Sequence, residues 1–153
     1  IKMLFFHLAT RGTGAPNVSQ LATDVQTSRT TIMNYIKFLA DARLLNMIYR
    51  RGDDQTKKPV RVMLNNTNLM YVMMPGKVNR HELMETFFQN AVWGKHKVKV
   101  ADRIGTFLLD DKYRYRIMDS IPKRKSTDVV YVNPDIAVGA EQEMPLWMFG
   151  LLY

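Results

Sequence analysis

The chain has no cysteine, and that absence removes disulfides, thiolate chemistry and every zinc site built on cysteine ligands. The three histidines, His7, His81 and His96, are scattered without metal-ligand spacing, and each reads as a surface or capping residue. No apolar run approaches the roughly 20 residues of a membrane span, so no membrane partner is expected, and a cytoplasmic setting is. A phosphate-gripping loop is missing too. Gly12-Thr13-Gly14 and Pro75-Gly76-Lys77 each lack the remaining positions of the Gly-x-x-x-x-Gly-Lys-Ser/Thr pattern, so these residues are not expected to hold ATP by that route.

What is present is a globular composition of 46% apolar and 24% charged residues in 153, enough for one ordinary domain or two small ones. The formal charge is +8 and lies mainly in the first half. Residues 1–64 carry ten Lys or Arg against four Asp or Glu, and residues 65–153 carry twelve against ten. Such a basic excess attracts polyanions by counterion release, which makes DNA the leading partner class. The chain opens at Ile1 inside an amphipathic pattern, with no leader, so a fragment of a longer polypeptide is expected.

Leu4, Phe5 and Leu8 follow helical spacing, and the stretch 11–16 ends that helix. Asn17 stands three residues before Gln20 in a capping-box arrangement ahead of Leu21, Ala22 and Val25, predicting a second, short helix. Ser28 is suited to cap a third, in which Ile32, Tyr35, Ile36 and Leu39 share one side. Arg29, Thr30, Met33, Asn34 and Lys37 are then left outward. Asn can pair with adenine edges, Arg and Lys with guanine or phosphate, and a helix N-terminus favours phosphate. After Leu44-Leu45 two extended runs, 47–49 and 60–64, flank a polar loop with Arg50, Arg51, Lys57 and Lys58. Three helices and a hairpin in this order predict a winged helix-turn-helix over residues 1–64, with those four cations on the DNA backbone and Asp53 and Asp54 opposing them.

The turn-forming cluster 65–68 marks the expected domain boundary. Leu69 to Met74 is apolar and too short to classify, and Pro75-Gly76 breaks it. Asn79 and Glu82 form a second capping box before an apolar stripe from Leu83 to Val92, with Gly94 as its C-terminal stop. Strands are expected at 95–100, 105–109, 113–118 and 128–132, giving a small sheet covered by that helix. The last ten residues, MPLWMFGLLY, should pack on it as a closing strand or turn. Lys123-Arg124-Lys125 reads as a solvated loop. Asp110-Asp111-Lys112 admits two readings, a charged turn between strands or, with Asp102, a Mg²⁺-binding nuclease motif.

Taken in order, VSQLATDVQTSRTTIMNYIKFLADARLL, KPVRVMLNNTNLMYVM, VNRHELMETFFQNAVWGKHKV, GTFLLDDKYRYRI and MPLWMFGLLY resemble the C-terminal region of bacterial AAA-type ATPases. In that family an ATPase domain is followed by a winged helix and a restriction-endonuclease-like domain of unknown function. The resemblance covers nearly the whole chain. The first stretch is generic to winged helices, and LNNTNLMY, ETFFQN and PLWMFGLLY are the specific ones. It implies that ATP and Mg²⁺ belong to a preceding ATPase domain of the same polypeptide. It also implies a degraded nuclease site: Thr106 and Arg116 stand where relatives carry acidic residues, while Glu85 matches.

The expectation is therefore an α+β chain, a winged helix-turn-helix over 1–64 followed by a small, degenerate restriction-endonuclease-like α/β domain over 65–153. DNA would be bound by Arg29, Thr30, Asn34, Lys37, Arg50, Arg51, Lys57 and Lys58, and no catalytic, cofactor or metal residue is assigned. The alternatives are a protein-interaction module, docking the same helix on the ATPase domain or on a neighbouring subunit of a homo-oligomer, and a Mg²⁺-dependent nuclease through Asp102, Asp110 and Lys112.

Overall fold

The computed structural model describes residues 1–101 and 106–152. Among them the chain runs α1 (Lys2–Thr10), α2 (Val18–Asp24), α3 (Arg29–Asp41), β1 (Leu45–Arg50), β2 (Arg61–Leu64), α4 (Thr67–Met73), α5 (Arg80–Val92), β3 (Val98–Val100), β4 (Thr106–Leu109), β5 (Tyr113–Ile117), β6 (Val129–Asn133), β7 (Glu143–Pro145) and a 3-10 helix (Leu146–Leu151). This is a mixed α and β molecule, in agreement with the α+β expectation at that level. No helix among the described residues is long and apolar enough to cross a membrane.

All seven strands form one sheet, in the order β2-β1-β3-β4-β5-β6-β7. The β1–β2, β3–β4 and β4–β5 pairs are antiparallel, and β1–β3, β5–β6 and β6–β7 are parallel. The sheet thus continues past the expected 64/65 boundary, because Tyr49 and Arg50 of β1 pair with Lys99 and Val100 of β3.

Strand alternation distributes the core to two sides. Leu45, Val62 and Leu64 are buried with Leu4, Leu8, Leu21, Ile32, Ile36 and Leu39 of α1–α3. Ile48 and Met63, one residue out of phase, join Met84, Phe88 and Val92 of α5 and Phe107, Ile117 and Val132 of the later strands. Phe88 is fully buried, with its ring 4.7 Å from Phe149 and 5.2 Å from Phe107. The central hairpin is therefore covered on one face by the first three helices and on the other by α5.

Several local expectations need correction. Leu69 to Met73 belong to a helix, with Met74 as its C-cap, because Asn66, one of the residues read as a turn cluster, caps its start: its side chain accepts from the Leu69 N–H at 3.0 Å. The two capping boxes form only in their forward half. Asn17 and Asn79 accept from Gln20 and Glu82 N–H at 3.1 Å each, but Gln20 turns its amide to Asp24. The Glu82 carboxylate instead lies beside Gly12, whose φ of +82° would strain any other residue there. The final segment, expected as a closing strand or turn, carries the end of the short strand β7 and then a 3-10 helix over Leu146–Leu151.

Candidate nucleic-acid interface

The third helix begins where its sequence says it should. Ser28 is extended, and its Oγ accepts from the Thr31 N–H at 3.1 Å. A Ser28→Ala variant should lose about 1 kcal/mol, read as a lower urea midpoint at unchanged slope, and equal midpoints would contradict the capping role. The helix ends in a Schellman arrangement: Arg43 N–H reaches Ala40 O, Leu44 N–H reaches Leu39 O, and Arg43 takes a φ of +56°.

Ile32 and Ile36 are fully buried and Leu39 nearly so, which turns Arg29, Thr30, Asn34 and Lys37 to solvent. The first turn of α3 holds no acidic residue, leaving the positive end of the helix dipole unopposed. Met33 is not outward: it is half-buried and packs on the first core. Phe38 is more exposed than any of these apolar neighbours, at 59%.

The β1–β2 connection is ordered by its own acids. Asp54 accepts from the Thr56 N–H at 3.0 Å and from its hydroxyl, and the hydroxyl bond is the main cause of a carboxyl held below its usual range. Asp53 pairs with Lys57 at 2.8 Å, and that bond raises the Lys57 ammonium. The two carboxylates that opposed the loop's positive charge are thus engaged within it.

The eight residues assigned to DNA do not share one environment. All eight are exposed, and no carboxylate lies within salt-bridge distance of Arg29, Lys37, Arg50, Arg51 or Lys58 among the described residues. Lys57 is tied to Asp53. Arg50, one step beyond Tyr49 on the strand, lies on the α5 side and lines a cavity of about 580 Å³ with Arg61, Glu85 and Val100.

That cavity holds a buried ion pair invisible to motif reading. Arg61 donates to Thr13 O at 3.0 Å, to Thr13 Oγ1 at 2.6 Å and to both Glu85 oxygens, one at 3.0 Å, with its guanidinium 5.1 Å above the Phe107 ring. The Glu85 side chain is 3% exposed. The only sequence signal was an arginine alternating with apolar residues in VRVML.

Asp110-Asp111-Lys112 is a turn. Asp110 and Asp111 have φ of +53° and +58°, and Lys112 N–H closes on Leu109 O at 3.0 Å. The Asp110 carboxylate meets His96 Nδ1 at 2.6 Å and the Lys97 N–H at 2.8 Å, Asp111 pairs with Lys99 at 3.0 Å, and Lys112 sits over the Tyr113 ring. Asp102 lies outside the described residues. Thr106 is buried opposite Arg116 in the β4–β5 register. No group of three His, Asp or Glu among the described residues could hold a metal.

The His96 bond, then the Lys97 N–H, hold the Asp110 carboxyl below the ordinary range. A carboxyl depressed by folding stabilises above its unfolded-state value, and that contribution disappears as pH falls through the folded value. Carboxyl titration followed by NMR should give Asp110 a depressed midpoint that rises in His96→Ala. An unchanged midpoint would show that His96 is not the cause.

Compared with known proteins, the chain matches no family, no curated protein and no solved structure. The likeness to AAA-type ATPase C-terminal regions rests on the quoted motifs alone.

Proposed function

We propose that residues 1–64 form a winged helix-turn-helix that binds duplex DNA, with α3 in the major groove and the 51–60 loop on the backbone. The observation carrying this reading is the free face of α3. Arg29, Thr30, Asn34 and Lys37 stand exposed on a helix whose opposite side is locked by Ile32, Ile36 and Leu39, so base-reading side chains sit on a rigid support. The connection before α2 adds support, since Val62 N–H donates to Gly14 O and holds that segment beside β2. Arg51 and Lys58 extend the positive surface, and Arg50 and Lys57 contribute less because of their placement.

Residues 65–153 are read as a restriction-endonuclease-like domain without its chemistry, in the C-terminal region of an AAA-type ATPase whose preceding domain would carry ATP and Mg²⁺. What supports the non-catalytic reading is that Glu85 is neutralised by Arg61 and that the Asp110 carboxylate is engaged in a turn. Fluorescence anisotropy of a labelled duplex tests the DNA reading: saturable binding at low salt is expected, and its absence would reject it.

A second reading, docking on the ATPase domain or another subunit, is favoured by a different surface. Ile1, Met3 and Phe6 of the α1 segment are each more than half exposed. On that reading substitutions there would weaken the protein complex and leave duplex affinity unchanged.

A further inference from the structure

The last turn of α5 leads into a groove that shares the 51–60 loop with the duplex-binding reading but whose Trp93 side that reading does not use. Trp93 is its C-cap, in an extended conformation, and Gly94 follows at a φ of +87°, so the chain reverses within one residue. The N–H groups of Lys95 and His96 both return to Val92 O, at 3.4 and 3.1 Å. This turn fixes the Trp93 indole at the surface, 42% exposed. The groove beside it, about 720 Å³, is walled by Tyr49 and the tip of the 51–60 loop on one side and by Trp93, Lys95 and Lys97 on the other.

We propose that this groove binds single-stranded nucleic acid, an unpaired base stacking on Trp93 while the flanking phosphates meet Lys95 and Lys97. Stacking on an aromatic face suits every base, and a neighbouring row of cations tracks the backbone. The exposed indole with two lysines beside it favours this occupant. Of the groove's acids Asp53 is paired with Lys57, while Asp54, held by Thr56, and Asp110, held by His96 and the Lys97 N–H, stay charged but are fixed in place. Lys95 and Lys97 are exposed, with no carboxylate within salt-bridge distance among the described residues. The site is distinct from the free face of α3 and stands or falls separately from it.

The test uses a labelled oligothymidylate of roughly eight nucleotides, within the range one such site covers. In a Trp147→Phe background, where Trp93 is the one remaining tryptophan, saturable quenching of Trp93 emission is expected, reversed by added salt. Trp93→Ala should weaken the oligonucleotide roughly ten-fold, and Trp93→Phe, which keeps a stacking ring, should remain within a few-fold of the parent. Lys95→Ala/Lys97→Ala should flatten the salt dependence by about 1.4 in log–log slope. Arg29→Ala/Lys37→Ala should leave all of these unchanged while weakening duplex binding. Loss of duplex binding with retained Trp93 quenching would remove the α3 reading and leave this one. No quenching, equal affinities for Trp93→Ala and parent, or a peptide-selective groove that ignores the oligonucleotide would overturn it.

Discussion

Arg61→Ala should destabilise the fold by about 3–5 kcal/mol, the largest stability effect expected of any single charge removal in this molecule. The Glu85 carboxylate is almost wholly buried, and its remaining neighbours would be the Thr13 hydroxyl at 3.2 Å and His81 Nε2 at 3.6 Å. A buried charge without its partner keeps the full desolvation penalty, which the lost ion pair had offset. The guanidinium also holds the 11–16 connection through Thr13 O and Thr13 Oγ1, so the variant should loosen α1 from the hairpin. Urea unfolding measures the loss. Replacing both partners by apolar residues, as in R61M/E85L, should recover most of it, since neither charge then remains buried. An Arg61→Ala protein as stable as the parent would show that the pair is not formed in solution.

The second large effect concerns duplex affinity. Removing Arg29, Lys37, Arg51 and Lys58 together should weaken binding on the order of a hundred-fold at low salt, because each cation that neutralises a phosphate contributes counterion release. Removing Arg50 and Lys57 should cost much less. Lys57 already faces the Asp53 carboxylate, and Arg50 projects toward the cavity on the α5 side. Six cations in one basic half thus separate into two groups by geometry, a division that composition alone would not make. Anisotropy titrations of the two variants against one duplex measure it, and equal losses would show that the strand's alternation does not govern which cations reach DNA.

Much of the first half was legible because its signals are local. Ser28 and Asn17 are N-caps within a turn of the groups they bond, and Ile32, Ile36 and Leu39 announce the buried face of α3 by spacing alone. The same local reading misjudged Asn66, since an Asn-rich stretch suits a turn and a helix start equally well. It placed Met33 outward because a half-buried position at the stripe's edge has no periodicity of its own. Long-range arrangements were not legible. The Arg61–Glu85 pair joins residues 24 apart, and the parallel pairing of β1 with β3 joins strands about fifty residues apart, so neither leaves a pattern inside any short window. Trp93 was hidden for a related reason. It falls between the end of the apolar stripe at Val92 and the Gly94 stop, where spacing assigns it no face.

The slope of log affinity against log salt for one duplex tests the central claim most directly. The parent should bind more weakly as salt rises, and the Arg29→Ala/Lys37→Ala/Arg51→Ala/Lys58→Ala protein should show a slope shallower by about 3.6, the value for four lost phosphate contacts. Equal slopes for the two proteins, or binding indifferent to salt in the parent, would contradict the account.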